Sequence, residues 1–417
     1  MRSIIALARR NPAYRRLWAA QAVSLAGDWF TLIALSVIVS RQTGRSGLAF
    51  AGLLLTHLVP AAVIGPMSGV LVDRFDRRRL MVASDLVRAL LVALMIPVLH
   101  SGLLWPVYAL AFLHYTVSTV FEPARSALLP RVVGMDGIVA AQTMSSVTWS
   151  VMAAMGGVLG GTLVALVGTE MAFAIDGLTF VVSAAFLVGI RVPGGAAARP
   201  EAGARPGEEQ PPVRFMDGLR FLRSNPSTLA ALLVKGMNGL GTTDTFLTVY
   251  ATRLFVEGAD GAVSLGLLWA SFGVGAFIGP VGLNLINDGS VKRMRRLIAV
   301  GALWITLSLF VLGVAPSLAV ASLAIVFRGI GGSVTWTYSV IVLQKSVPDR
   351  LRGRIFSLDL ANAQLTSALG AVLTGWAVDA FPVRNVVLTS AVVNVLPVLA
   401  WTLALPWMDR RSSPEVY

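Results

Sequence analysis

The chain has 417 residues, of which 56% are apolar and only 13% charged, and it contains no cysteine. Soluble domains carry about 25% charged residues, so this composition excludes an ordinary soluble protein. The lack of cysteine excludes disulfides and zinc–thiolate sites. The mean hydropathy of +0.75 indicates an integral membrane protein.

Signatures of catalysis are missing from the sequence. It contains no phosphate-binding Walker loop, no HExxH zinc motif and no GxSxG nucleophile motif, the usual carriers of ATP hydrolysis and proteolysis. The three histidines, His57, His100 and His114, are not spaced as metal ligands. We therefore expect neither an enzyme nor a bound cofactor or metal ion.

Apolar runs of roughly 20 residues, the length that crosses a bilayer, follow one another along the whole chain. Twelve such runs lie near residues 17–40, 48–72, 80–99, 103–124, 139–166, 170–190, 229–252, 263–287, 297–315, 318–344, 355–379 and 385–407. The sequence thus predicts an all-α membrane protein with twelve transmembrane helices arranged in two six-helix bundles.

Lysine and arginine accumulate on alternate connections between these runs. If the N-terminus is cytoplasmic, the inside segments carry 27 of the 34 basic residues and the outside loops carry 4. Such a bias sets membrane orientation, which predicts a bacterial inner-membrane protein with both termini in the cytoplasm. The net charge of +13 is then an orientation signal that also suits anionic lipid. Nucleic acid is not an expected partner.

Two halves can be distinguished around a Pro-, Gly- and Ala-rich polar stretch. We predict an N-terminal bundle at 1–192, a disordered cytoplasmic linker at 193–213 and a C-terminal bundle at 214–417. Three features recur 214 residues apart: Asn11-Pro12 and Asn225-Pro226, Gly65-Pro66 and Gly279-Pro280, Gly156/Gly161 and Gly370/Gly375. A parallel six-plus-six repeat is typical of transporters whose substrate site lies at the midplane.

The connection between the second and third runs, 69–79, is short and strongly charged. Charges are costly in hydrocarbon, so this hinge must lie at a water interface, and its arginines place it on the cytoplasmic side. It contains the spacing G-x-x-x-D-R-x-x-R-R, carried by Gly69, Asp73, Arg74, Arg77 and Arg78.

This spacing resembles the loop 2–3 signature of the major facilitator superfamily, G-x-x-x-D-R-x-G-R-R/K, with Asp76 replacing the second glycine. The resemblance extends over essentially the whole chain. Segments 15–28, 121–125 and 348–357 resemble its drug and siderophore exporter branch, which includes proteins similar to macrolide and enterobactin exporters. Membership of that branch implies proton antiport but does not identify a substrate.

The resemblance also implies a role for the hinge as a conformational latch. Asp73 is expected to contact the start of the eleventh run, near Arg352 and Arg354, since a helix N-terminus stabilises a carboxylate by about 0.3–1 kcal/mol. Arg77 is expected to pair with Glu122 at the cytoplasmic end of the fourth run. Alternatively, the hinge is a solvated loop whose charges only anchor the orientation.

In this superfamily the first, fourth, seventh and tenth spans line a central cavity, and here each contains one ionisable residue near mid-depth. These residues are Asp28, His114, Asp244 and Arg328. Ionisable groups within a membrane are costly and are functional by default. We interpret Asp28 as a proton carrier and Arg328 as the partner of an acid or of an anionic substrate group. The alternative for each is a static, hydrogen-bonded contact between helices.

The fifth run contains the glycines Gly156, Gly157, Gly160 and Gly161, which resemble the antiporter signature G-P-x-x-G-G with Gly157 in place of proline. Small residues let helices approach closely, so packing is the simplest interpretation and a gating hinge is the alternative.

Three further polar residues within the runs have structural interpretations. Asp85 and Arg88 lie three residues apart and are predicted to pair on one helix face. Lys235 is predicted to extend its ammonium group to the cytoplasmic interface.

These observations favour a monomeric secondary transporter that exports amphipathic small molecules in exchange for protons. Its only other expected partners are membrane lipids, and its energy source is the proton gradient. Two alternatives stay open: an importer or lysolipid transporter of the same fold, and a membrane receptor that transports nothing.

Overall fold

The computed structural model describes residues 10–190, 215–239, 243–284 and 287–411. Within these ranges all regular elements are helices. The α-helices are α1 (Pro12–Gln42), α2 (Gly47–Val63), α3 (Gly65–Arg74), α4 (Arg77–Leu99), α5 (Leu104–Val188), α6 (Phe215–Ser224), α7 (Pro226–Gly239), α8 (Thr243–Val249), α9 (Ala262–Asn284), α10 (Val291–Gly313), α11 (Leu318–Ser346), α12 (Asp349–Ala380) and α13 (Val383–Arg411).

Short polar side chains start several of these helices. Asn11, Ser46, Asp76, Ser290 and Ser317 occupy N-cap positions, and each accepts a hydrogen bond from the backbone N–H three residues later. An N-cap of this kind contributes about 0.5–2 kcal/mol. Asp76 stands where the superfamily signature has glycine, and its role is therefore to begin α4.

Helix α5 contains two kinks, at Gly134 and Gly168. Gly134 (φ 71°) and Gly168 (φ 86°) have left-handed backbone conformations, which glycine adopts without the steric cost of a Cβ atom. They divide α5 into α5a (104–133), α5b (135–167) and α5c (169–188). These segments correspond to the predicted runs at 103–124, 139–166 and 170–190.

Two other predicted runs differ from a single regular α-helix. The run at 48–72 divides at Ile64 into α2 and α3, with Pro66 in the first turn of α3. The run at 229–252 contains α7 and α8, with residues 240–242 between them outside the described residues, and it ends in a π-helical turn, Tyr250–Leu254. Breaks inside membrane helices are tolerated where neighbouring protein groups satisfy the freed backbone.

Eight helical stretches among the described residues are long and apolar enough to cross a membrane. They are Pro12–Gln42, Arg77–Leu99, Leu104–Gly134, Ala140–Val188, Ala259–Leu283, Val291–Gly313, Leu318–Ser346 and Val383–Arg410. The predicted class, an all-α membrane protein, is confirmed, whereas the count of twelve spans stays a prediction.

The chain forms two compact units. Unit 1 combines the described residues within Met1–Pro206 with the segment Thr248–Ala270. In it, α1 and α4 both pack along α5. A buried apolar cluster that includes Tyr14, Leu17, Met81, Leu128 and Leu187 joins one end of these helices.

Unit 2 combines the described residues within Gly207–Leu247 and Ser271–Tyr417. Here α10 packs against α11 and α13, and α7 packs against α12 and α11. Its core includes Met294, Tyr338, Ile355, Trp401 and Met408. The predicted linker, 193–213, lies outside the described residues, so the predicted domain limits stay predictions.

Candidate functional site

A group of ionisable side chains lies in the interior of unit 1, around Asp28 on α1. The Oδ1 atom of Asp28 is 3.6 Å from Nη1 of Arg88 on α4 and 3.6 Å from Nε2 of His114 on α5a. Two of the predicted residues, Asp28 and His114, are thus brought together. Arg88, which the sequence analysis assigned to a purely local pair, is their common neighbour.

Arg88 is the buried cation of this cluster. Its guanidinium pairs with Asp85, as predicted, and donates a hydrogen bond to Oγ of Ser24 at 3.2 Å. The guanidinium carbon also lies 4.2 Å from the ring centroid of Phe180, a cation–π contact that strengthens in a desolvated site. Arg88 is therefore fixed by contacts that do not depend on Asp28.

His114 is fully buried, and its ring contacts two aromatic rings, those of Tyr115 and Phe180, at centroid distances of 5.2 and 5.6 Å. Among the described residues neither ring nitrogen has a hydrogen-bond partner. The 3.6 Å separation from Asp28 is slightly beyond hydrogen-bonding range. A small movement of either side chain would form that hydrogen bond.

A third carboxylate, Asp176 on α5c, completes the cluster. It is fully buried, accepts hydrogen bonds from Thr31 at 2.5 Å and Thr179 at 3.2 Å, and interacts electrostatically with Asp28. A Cβ atom at Gly27 would collide with Asp176 and Thr179. Gly27 thus allows α1 and α5c to approach closely enough to bury this acid beside Asp28.

The cluster contains more carboxylates than permanent cations. Asp28, Asp85 and Asp176 lie around one permanent cation, Arg88, and two histidines, His57 and His114, interact with Asp28. Burial of unpaired charge is costly, so the two fully buried carboxylates depend on their hydrogen-bond donors, which include Thr31 for Asp176 and Ser183 for Asp85.

Asp28 is the most exposed of these three acids. Its side chain is 29% exposed, whereas Asp85 and Asp176 are 0% exposed. The residue that follows it, Trp29, makes an edge-to-face contact with Trp269 at 5.1 Å between ring centroids. Asp28 is therefore followed in sequence by one member of a packed indole pair, and both indoles belong to unit 1.

Unit 2 contains the other two predicted residues. Asp244 on α8 and Arg328 on α11 interact electrostatically, and Arg328 is buried. The interpretation of Arg328 as the partner of an acid is consistent with this geometry.

A second ion pair in unit 2 corrects the sequence analysis. Lys235 does not extend to the interface. It is buried, pairs with Asp359 on α12, and its ammonium nitrogen lies 4.3 Å from the ring centroid of Trp336. The partner is 124 residues away in sequence, so spacing along the helix could not reveal it.

The glycines of α5b all make close contacts within unit 1. A Cβ at Gly156 would lie 2.6 Å from the ring of Trp29, and one at Gly160 would lie 3.2 Å from the carbonyl oxygen of the same residue. A Cβ at Gly157 would lie 2.8 Å from the carbonyl oxygen of Gly266, and one at Gly161 would meet the carbonyl of Ala262. The structure places all four against α1 or α9.

The hinge contacts are only partly described, because the side chain of Asp73 and the surroundings of Gly69 lie outside the described set. Arg77 donates to the carbonyl of Ala127 at 2.9 Å, and Glu122 binds Arg125 through both carboxylate oxygens. The expected Arg77–Glu122 pair is therefore replaced by two separate contacts.

The other basic latch residues have different surroundings. Arg74 is exposed, and Arg78 donates to the carbonyl of Ile190 at 2.8 Å. In unit 2, Arg352 donates to the carbonyl of Gln344 at 3.2 Å, and Arg354 lies beside Gly218 of α6. The role of these residues in a latch stays a prediction.

Comparison with known proteins places this helical membrane protein in a family. Residues 6–415 match the transmembrane secretion effector family of the major facilitator superfamily. The chain belongs to this family. It is therefore a multi-pass membrane transporter that acts on small molecules, and not an enzyme.

Individual relatives agree with this assignment. YfiS of Bacillus subtilis (strain 168), an MFS-type transporter, is 31% identical over 54% of this chain and 53% of its own length, so that alignment spans about half of each protein. Macrolide efflux protein A of Streptococcus pyogenes is 26% identical over 91% of this chain and 92% of its own. The crystal structure of the nucleoside transporter NupG shares the fold, with a TM-score of 0.74 at 10% identity over 94% of this chain and 98% of that one.

Sequence reasoning missed part of the cluster around Asp28. Asp176 is the one acid in the interior of the apolar run 170–190, which begins at Glu170, and this signal is similar to the one that identified Asp28. Arg88 was identified but confined to its local pair with Asp85, because contacts across helices are not visible in a single sequence.

Proposed function

We propose that this transporter exports amphipathic small molecules in exchange for protons, with Asp28 as the proton carrier. The observation that supports this is the position of Asp28, which is the solvent-accessible carboxylate beside buried Arg88 and His114. An intramembrane carboxylate with a named cationic partner is a candidate proton relay. The match to a macrolide efflux protein supports export as the direction.

The cluster can keep its structure in both protonation states of Asp28. When Asp28 is ionised, Arg88 and His114 face it at 3.6 Å. When Asp28 is neutral, Arg88 retains its pair with Asp85 and its contact with Phe180. Arrival of a proton from one side and its loss to the other therefore change the charge of the site without leaving Arg88 unpaired.

The substrate class is proposed from the groups next to the carboxylate. Trp269 is partly exposed and packs edge-to-face on buried Trp29, and aromatic side chains favour flat, apolar or cationic groups. A substrate that combines such a group with a polar part would fit beside Asp28. We propose that transport proceeds by alternating access, in which two six-helix bundles, twelve spans in total, move relative to each other. The transporter would act as a monomer in the plasma membrane.

Efflux from energised cells tests this function. Accumulation of a panel of dyes, macrolides and siderophores would be measured with and without a protonophore, for the natural chain and for Asp28→Asn. We expect the natural chain to lower accumulation of some members, and both the protonophore and the substitution to abolish that effect. Accumulation that is unchanged across the panel would overturn export, and increased accumulation would assign import.

Orientation has its own test. Since the chain has no cysteine, Ser101→Cys and Arg79→Cys each create a single thiol, and both positions are exposed. In intact cells a membrane-impermeant maleimide should label Ser101→Cys and spare Arg79→Cys. The opposite pattern would reverse the proposed topology.

A further inference from the structure

A charged cavity lies in unit 2, away from the residues assigned to transport. It has a volume of about 500 Å³ and is formed between the start of α10 and the end of α13. Basic residues Lys292, Arg296 and Arg410 line it together with Asp409, and Leu405 and Pro406 add apolar surface. We propose that this cavity binds the phosphate headgroup of an anionic phospholipid.

The cavity has an excess of positive charge that its own carboxylate does not neutralise. Nζ of Lys292 and Nη2 of Arg296 lie 3.9 and 4.0 Å from Oδ2 of Asp409. These separations exceed hydrogen-bonding distance, and within the described part of the chain neither side chain makes a hydrogen bond. Lys292 is 60% exposed and Arg296 is 54% exposed. With Arg410, the lining carries three cations and one anion, a net charge of +2.

Two hydrogen bonds from side chains to backbone carbonyls hold together the helix ends that frame the cavity. Arg295, buried on α10, donates from Nη1 to the carbonyl of Met408 at 3.0 Å. Trp401 on α13 donates in return from Nε1 to the carbonyl of Arg295 at 3.0 Å. The cations are therefore carried by a fixed frame, which reduces the entropic cost of binding a ligand.

The position of the cavity selects a lipid over a soluble anion. It lies where one candidate membrane span, Val291–Gly313, begins and another, Val383–Arg410, ends, so it is at one membrane surface. Leu405 and Pro406 supply apolar lining beside the cations, as an amphipathic ligand requires. Basic pockets between transmembrane helices on the cytoplasmic side bind anionic headgroups. Arginine binds phosphate oxygens through the planar set of N–H donors on its guanidinium, and lysine binds them through a single charged ammonium group.

Lipid binding to the purified full-length chain tests this site. Native mass spectrometry in a non-ionic detergent would compare the affinity for dioleoyl phosphatidylglycerol with that for dioleoyl phosphatidylcholine. We expect the natural chain to prefer phosphatidylglycerol, and Lys292→Ala/Arg296→Ala to weaken its binding at least tenfold. The matched control Arg220→Gln/Arg223→Gln removes two exposed charges from α6 and should leave the affinity unchanged.

A second variant removes a negative charge from the cavity and should have the opposite effect on lipid binding. Asp409→Asn removes the only anion that lines the cavity and should strengthen binding of phosphatidylglycerol by a few-fold. Equal affinity for the two lipids, or unchanged affinity in Lys292→Ala/Arg296→Ala, would overturn the proposal. Displacement of the lipid by millimolar inorganic phosphate would also overturn it, by assigning the site to a soluble anion. Because binding is measured without transport, these results are independent of the proposed function.

Discussion

Arg88 binds Asp85 and, 3.6 Å away on its other side, faces Asp28. The first acid is completely buried and the second is partly open to water. One guanidinium thus connects a fully buried carboxylate on its own helix to a partly exposed carboxylate on α1. This relationship gives Arg88 a role beyond the local pair that its sequence spacing indicates.

Replacement of Asp28 should uncouple transport from the proton gradient. Asp28→Asn retains the size and hydrogen-bonding capacity of the side chain but cannot release a proton. We expect at least a tenfold loss of gradient-driven transport in proteoliposomes with an imposed pH difference, with little change in thermal stability.

The matched control for this variant is Asp288→Asn, which makes the same chemical change at an exposed residue before α10. Hydrogen bonds from Ser290 lower the pKa of Asp288, but it lies far from the cluster in sequence and outside the spans. It should transport normally. Gradient-driven transport that survives in Asp28→Asn would show that another group carries the proton.

The buried pair of Lys235 and Asp359 should be sensitive to loss of one partner. Lys235→Met leaves the carboxylate of Asp359 buried without its cation, and breaking such a pair costs about 3–5 kcal/mol. The variant should have a clearly lowered unfolding temperature in detergent. The double variant Lys235→Met/Asp359→Leu should recover most of that loss, because two apolar side chains need no counter-charge. Equal destabilisation in the single and double variants would indicate that packing, not charge, is lost.

The glycine contacts between α5b and α9 should not tolerate even a methyl group. A Cβ at Gly161 would collide with the carbonyl of Ala262 and lie 3.3 Å from Cα of Gly266. We expect Gly161→Ala to separate the helices locally and to lower stability by about 1–3 kcal/mol. Gly282→Ala on α9 is the matched control, because nothing lies within 4 Å of its added Cβ. A helical alanine there should be neutral or slightly stabilising, measured by thermal unfolding in detergent.

Asp260 combines an unusual backbone with a surface ion pair. Its φ is +49°, and its carboxylate pairs with Arg41. Exposed pairs contribute about 0–1 kcal/mol, so Asp260→Asn, which tolerates the left-handed conformation, should change stability little. A β-branched residue at positive φ is strained, so Asp260→Val should cost about 1–3 kcal/mol more than Asp260→Asn. Equal unfolding temperatures for the two variants would contradict this explanation.

Sequence patterns predicted the helical membrane class because each apolar run carries its own signal. The same logic identified Asp28 and His114, since an ionisable residue inside an apolar run can be recognised from the sequence alone. The partners of these residues could not be predicted, because they depend on which helix faces meet. Lys235 shows the difference, since a lysine near a helix end extends to water unless a distant acid, here Asp359, lies within reach.

The internal breaks of the helices were also beyond prediction. Gly134 and Gly168 form kinks in α5, whereas many of the other glycines among the 40 in this chain lie in regular helix. Composition alone does not distinguish the two kinds. The π-helical turn at Tyr250–Leu254 has no sequence signal that we recognise.

The contact of Gly157 and Gly161 with Gly266 has a thermodynamic consequence for a transporter that cycles between conformations. Glycine has no rotamers, so at these three residues the contact restricts no side-chain torsion, and the neighbouring side chain is that of Trp269. In the proposed transport cycle, opening and closing such a surface would change the side-chain conformational entropy of these glycines by almost nothing. The free energy of the proton gradient would then be available to move substrate.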